Sequence, residues 1–211
     1  MALAAPVVAL GCGGAVHSSA TQAAATGPPS SMKGLSAGDQ QFVSDMQIDF
    51  NLASGVKVSR VVSFGGQVCG DIKRGTSIAR EVPAVQQDWA HLTVGDALQM
   101  ILLAEKDICP AEQKAQTVTY LVGGGRTDVM YGPAYSNDQG TGPMSVTQQL
   151  SDTQYYTIDA ELLSDGTVSC SIKVDGVTIA ASSASGDGNT AECEIDLNLS
   201  TGGWENANSP V

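Results

Sequence analysis

The sequence predicts an α+β protein with two segregated domains, a small disulfide-bridged helical bundle followed by an antiparallel immunoglobulin-like β-sandwich. Apolar residues recur at helical spacing over 36–113, and from residue 116 onward their period changes to two. Of the five cysteines, four divide as one pair in each half. We therefore assign 36–113 to the helical domain, 114–200 to the sandwich and 201–211 to a C-terminal tail.

Composition indicates an exported protein and excludes one class of partner. Charged residues make up 15% and aromatic residues 5%, which is typical of a secreted or envelope β-rich protein. The net charge is −12, whereas a nucleic-acid binder needs a concentrated basic face. Nucleic acid is therefore excluded as a partner.

Residues 1–12 are predicted to be a signal leader. The apolar run 2–10 is shorter than the about 20 residues needed to cross a bilayer. It leads into Ala9-Leu10-Gly11-Cys12, which resembles a bacterial lipobox and makes Cys12 the predicted lipidation site. No Lys or Arg precedes the run, so a start further upstream and a leader without lipidation both stay open. Residues 13–35, rich in Gly, Ser, Thr and Pro, are predicted to be a flexible tether.

Four amphipathic helices with short turns are predicted over 36–113, which indicates a small bundle. Ser36 with Asp39, and Thr93 with Asp96, have the spacing of capping boxes at the first and fourth helices. The predicted helices begin at Ser36, about Lys57, about Ser77 and Thr93, and end at Gly55, Gly75, about Ala90 and Cys109-Pro110.

The cysteines are predicted to form two disulfides. Cys69 and Cys109 lie near the C-terminal ends of the second and fourth helices, and an up-down-up arrangement brings those ends together. Cys193, on the last long strand, is the expected partner of Cys170. Such bonds require an oxidising compartment outside the cytoplasm. A metal site is the alternative, but the chain has no Cys-x-x-Cys spacing and only two histidines.

In the β half, two turns and one loop are predicted. Gly123-Gly124-Gly125, after an alternating strand, is interpreted as a hairpin turn, in preference to a phosphate-binding loop. A two-residue turn at Asp175-Gly176 sets the strands on either side of it in register. A three-residue loop, Ser164 to Gly166, pairs the strand before it with the strand after it. The expected partners are Val174, Ile172 and Cys170 with Val177, Ile179 and Ala181, and Leu162, Ala160, Ile158 and Tyr156 with Val168, Cys170, Ile172 and Val174.

Residues 37–112 resemble the mycobacterial family called domain of unknown function 732. The resemblance rests on Phe42, on the Gly66 to Gly70 segment that contains Cys69, and on Ala104 to Pro110 with its closing Cys-Pro. It implies a helical fold and a bridge between Cys69 and Cys109. It implies no activity.

Residues 116–197 resemble the periplasmic domain of the mycobacterial membrane protein small family, MmpS. The resemblance rests on Val118 to Gly123, Asp128 to Tyr131, Ser169 to Gly176 and the later Cys193. The chain departs from the family midway, where Pro143-Met144-Ser145-Val146 replaces an expected Pro-Trp. The resemblance implies an accessory role in a large exporter of lipids or siderophores.

Together these features predict a non-enzymatic binding or transport-accessory module, lipid-anchored to the membrane on its extracytoplasmic side and without cofactor or metal. Its expected partners are an envelope exporter or an apolar lipid or siderophore. Tyr120, Tyr131 and Tyr135 are the candidate contact residues, with an ordinary core role as the alternative. From Lys114 onward the chain has 3 cations and 12 anions, which we interpret as a solubility feature, with capture of a cationic partner as the alternative. An extracytoplasmic enzyme with dispersed carboxylates, or a structural envelope protein, are the alternative functions.

Overall fold

A computed structural model describes residues 32–50, 56–89, 92–133, 138–151 and 154–208. These residues contain four α-helices followed by an antiparallel sheet of seven strands. Helices and strands belong to one compact unit, Gly34–Val211. The α+β class and the order of its two parts are as the sequence predicts. None of the described helices is long and apolar enough to cross a membrane.

The helices follow the predicted pattern. Both capping boxes are present, with Asp39 N donating to Ser36 Oγ at 3.1 Å and Asp96 N donating to Thr93 Oγ1 at 3.0 Å. The first helix ends at Asp49, earlier than expected, and Gly55 lies outside the described residues. The helices are α1 (Ala37–Asp49), α2 (Val58–Lys73), α3 (Ile78–Asp88) and α4 (Val94–Asp107).

The apolar stripes of the helices meet in a shared core. Phe42 and Met46 of α1 and Leu98 and Ile101 of α4 are fully buried. The Cys69–Cys109 disulfide is formed, with a Cα–Cα distance of 5.9 Å, and it links α2 to the residues just after α4. The predicted bridge of the helical part is thus confirmed.

The strands are β1 (Thr117–Pro133), β2 (Asp138–Gln149), β3 (Tyr155–Leu162), β4 (Thr167–Val174), β5 (Val177–Ser185), β6 (Thr190–Leu197) and β7 (Trp204–Asn206). They form one continuous, nearly closed sheet in the order β5-β4-β1-β3-β6-β7, with β2 paired to β1. The first strand is long, and three strands pair with it: β2 on both sides of a register shift, β4 beside its first part and β3 beside its second part.

The glycine segment is not a hairpin turn, so that prediction is wrong. β1 continues through it, and its register with β2 shifts between Val122 and Thr127. Gly124 has φ +108°, and a Cβ there would lie 2.1 Å from the backbone oxygen of Thr167. The glycines therefore let β1 change partner from β4 to β3 where another backbone approaches closely.

The predicted pairing of β3 with β4 is also wrong. Leu162, at the end of β3, pairs with Thr127 of β1, and Val168, at the start of β4, pairs with Gly124 of β1. The two strands therefore lie end to end along β1. The apolar faces of β3 and β4 are buried in the interior as predicted. The two strands, however, are not hydrogen-bonded neighbours.

The turn at Asp175-Gly176 is confirmed, since Val174 pairs with Val177. Beyond it the predicted register fails, because a bulge between Ile172 and Lys173 pairs Ile172 with Ala180 in place of Ile179. The Cys170–Cys193 disulfide is formed as predicted, and it joins β4 to β6, which are not neighbours in the sheet. It thus ties together two parts of the sheet across its interior.

The segment 201–211, predicted to be a tail, contributes a strand. β7 pairs with β6, and Trp204 is 5% exposed, with its ring 5.4 Å from that of Tyr156. α4 rests against this strand, because a Cβ on Gly95 would lie 1.7 Å from the backbone oxygen of Trp204. The apolar surface of Trp204 explains why the chain returns to the sheet here.

Candidate functional site

The outward face of β3 and β6 carries a carboxylate at most alternate positions. In β3, Asp159 and Glu161 alternate with the buried Ile158 and Ala160. In β6, acidic residues alternate with apolar ones in the same way. Because side chains of a strand point alternately to its two faces, all of these carboxylates lie on one side of the sheet. The residues of this acidic face are Asp128, Asp159, Glu161, Glu192, Glu194 and Asp196.

Strand pairing places carboxylates directly opposite each other. Asp128 of β1 is opposite Glu161 of β3, and Asp159 of β3 is opposite Glu192 of β6. Burial, and next the negative charges of Glu192 and Glu194, raise the pKa of Asp159 above its ordinary value. Like charges directly opposite in a sheet are destabilising, so this arrangement opposes folding.

These pairs line a groove of about 780 Å³. Met130, 51% exposed, lies between Asp159 and Gln139 in the strand register and supplies an apolar surface among the carboxylates. None of the described residues that line the groove is a Lys or an Arg. The lining consists of Asp128, Val129, Met130, Gln139, Gly140, Thr141, Asp159, Glu161, Thr190 and Glu192.

Of the tyrosines predicted to contact a partner, Tyr120 does not lie on the surface. Tyr120 is fully buried, with its ring 5.2 Å from that of Tyr131 and 6.5 Å from that of Tyr156. Burial raises the pKa of the Tyr120 phenol. Tyr120 is therefore a core residue and was wrongly predicted as a contact, because alternation places it on the inner face of β1. Tyr131 is half-buried beside it, and Tyr135 lies outside the described residues.

The other predicted site residues are of two kinds. Cys12, the predicted lipidation site, lies outside the described residues. The four remaining cysteines are all in disulfides, which leaves them without a free thiolate for a metal. Within the described part of the chain, no three His, Cys, Asp or Glu side chains are grouped so as to hold a metal ion.

Sequence reasoning missed the acidic groove. The alternation of acidic and apolar residues in β3 and β6 was visible, and it indicates that each strand has an acidic outer face. It does not reveal that the two strands are neighbours, or that β1 adds Asp128 and Met130 to the same face. Compared with protein-family models and with curated proteins, the chain shows no match.

Proposed function

We propose that this chain is a non-enzymatic binding module of an extracytoplasmic, lipid-anchored envelope protein, and that its groove binds a cationic segment of an envelope partner. The observation that carries the proposal is the two pairs of directly opposed carboxylates, Asp128 with Glu161 and Asp159 with Glu192, in a groove whose described lining residues include no Lys or Arg. The resemblance to MmpS suggests the class of partner, an exporter of lipids or siderophores. We also propose that the β part belongs to the immunoglobulin-like fold class.

The energetics favour a cationic partner over a purely solubilising role. Each directly opposed like-charge pair costs on the order of 0.2–1 kcal/mol, whereas carboxylates dispersed over the surface would keep the protein soluble without this cost. A Lys or Arg of a partner would neutralise the pairs on binding. The exposed Met130 offers a flexible apolar contact for the aliphatic stem of such a side chain.

Photocrosslinking in intact envelopes tests the groove as a binding surface. A benzophenone amino acid replaces Met130 in the groove or, as the control, Leu199, which is 75% exposed and does not line the groove. We expect a defined crosslink to a membrane protein from position 130 only. Substituting both Glu161→Gln and Glu192→Gln should abolish it. Equal crosslinking from both positions, or a crosslink that survives the double substitution, would contradict the proposal.

The lipid anchor has its own test. Cys12→Ser should move the protein from the membrane fraction to the soluble fraction, and the mass of the wild-type N-terminal peptide should include the lipid. A wild-type protein that is already soluble and carries an unmodified Cys12 would refute the anchor. It would leave the groove proposal to be judged by its own experiment.

An extracytoplasmic enzyme is the second candidate, and one observation favours it. Asp159, with its raised pKa, faces Glu192 across the strands inside the groove, and a protonated and an ionised carboxyl can together cleave a glycosidic bond. Under this hypothesis, incubation with envelope polysaccharide releases sugars, and Asp159→Asn stops the release. Under the binding hypothesis no sugar is released by either protein.

A further inference from the structure

A second concavity lies where the helices meet the beginning of the sheet. Its volume is about 360 Å³, and it has no lining residue in common with the acidic groove. Its walls come from the end of α2, the start of α3, α4, the start of β1 and the β4–β5 turn. The residues that matter here are Ile72, Ser77, Ile78, Glu105, Thr117 and Asp175.

Glu105 is the most unusual residue of this cavity. It lies on α4, is 4% exposed, and makes no hydrogen bond or ion pair with any residue that the structure describes. Burial, and next the charge of Asp175, raise the pKa of its carboxyl. Its carboxyl oxygens are not among the fully buried unpaired atoms of the described residues, so a donor in the cavity can reach them.

Asp175 brings a second carboxyl to the same cavity. Its Oδ1 accepts hydrogen bonds from Thr117 N at 2.8 Å and from Thr117 Oγ1 at 3.3 Å, which holds the side chain in place. Its Oδ2 is buried and has no partner among the described residues. Because Oδ2 is closed off from solvent, Asp175 contributes negative charge to the cavity, and the carboxyl oxygens that a ligand can reach are those of Glu105.

The remaining lining limits what can fill that space. The side chain of Ser77 makes no capping hydrogen bond to α3, so its hydroxyl is a further polar group at the wall. Ile72 and Ile78 add apolar surface. Two carboxyls are too few for Ca²⁺, which takes about 6–8 oxygen ligands, and the described residues hold no group of three metal ligands. Lys114, also at the cavity, forms no ion pair with either carboxyl in the described structure.

We propose that this cavity binds a small organic cation with a primary ammonium group. Glu105 accepts its N–H donors, the negative charge of Asp175 adds to the attraction, and its alkyl part packs on the isoleucines. An ammonium group offers three donors and a positive charge, which match the carboxylate of Glu105, the hydroxyl of Ser77 and the nearby negative charge of Asp175. This site is independent of the acidic groove and of the partner proposed for it.

The test is a titration of the full, ¹⁵N-labelled chain with n-butylammonium, followed by NMR. Butan-1-ol is the matched neutral probe, because it has the same alkyl chain and lacks the charge. We expect saturable shifts of the Ser77, Thr117 and Gly176 amides with a Kd of about 1 mM, the affinity expected for so few atoms. Butan-1-ol should cause no saturable shift. Equal binding of the alcohol, or no saturation by butylammonium, would overturn the proposal without any variant.

Two substitutions locate the binding. Glu105→Gln keeps the size of the side chain, and Asp175→Asn keeps an Oδ1 acceptor for Thr117 and suits the positive φ of 48° in the turn. Each should weaken butylammonium binding at least about tenfold, whereas Glu112→Gln, which does not line the cavity, should not. Unchanged binding in both variants would overturn the proposal. So would a calcium titration that produced the same shifts at lower concentration, because it would assign the cavity to a metal ion.

Discussion

Gly95→Ala tests the contact that joins the helical part to the sheet. In a solvent-exposed helix the change from Gly to Ala stabilises by about 1 kcal/mol. At Gly95 in α4, however, the added Cβ would lie 1.7 Å from the backbone oxygen of Trp204. The adjacent Gly203 leaves no room either, since its own Cβ position is 3.1 Å from the Gly95 carbonyl. Helix and strand must therefore move apart.

The size of the effect follows from what the strand buries. Trp204 is 5% exposed and packs on Tyr156, so displacing β7 exposes part of a large aromatic side chain. Overpacking costs about 1–3 kcal/mol, and complete loss of a buried Trp side chain about 3–5 kcal/mol. With partial exposure of the ring, we expect Gly95→Ala to destabilise the protein by about 2–4 kcal/mol.

Urea denaturation, followed by circular dichroism, measures the change in the free energy of unfolding, and Gly66→Ala is the matched control. Gly66 lies in α2, is exposed, and has no atom within 4 Å of a Cβ built on it. We expect Gly66→Ala to raise the free energy of unfolding by about 0.5–1 kcal/mol. The same substitution at the two positions should therefore change the free energy of unfolding in opposite directions. A Gly95→Ala protein as stable as the wild type would refute the close packing of α4 on β7.

Two further predictions concern the sheet. Replacing Cys170 and Cys193 together by Ala should cost about 3.4 kcal/mol on the chain-entropy model, as measured by urea denaturation, and an unchanged midpoint would contradict the bridge's stabilising role. Asp159→Asn should change the pH dependence of stability. Because the folded pKa of Asp159 is raised above its ordinary value of 3.8, its favourable contribution is complete below that pH and is lost as the pH rises through the folded pKa. The variant should therefore match the wild type near pH 3 and be more stable near pH 7, and a pH-independent difference would refute this.

Local patterns were sufficient for much of the structure. Ser36 with Asp39 marked the start of α1 because capping depends only on residues three apart. Alternation identified the buried faces of β3 and β4 because the side-chain period of a strand is a local property. The cysteines were few enough, with one pair in each half of the chain, for both disulfides to follow.

Tertiary structure decided which strands meet. The glycines of β1 permit a change of partner, but only the closing of the sheet places β3 and β4 end to end along β1 and in different pairings from the expected hairpin. The same step sets Asp159 opposite Glu192, and it brings Glu105 of α4 and Asp175 of the sheet to one cavity. Sequence alone determined the four helices and the buried faces of β3 and β4, because these depend on neighbours along the chain, but it did not reveal β7 or the continuity of β1. The two candidate sites depend on long-range pairing, which is set by how the apolar faces as a whole can be buried together.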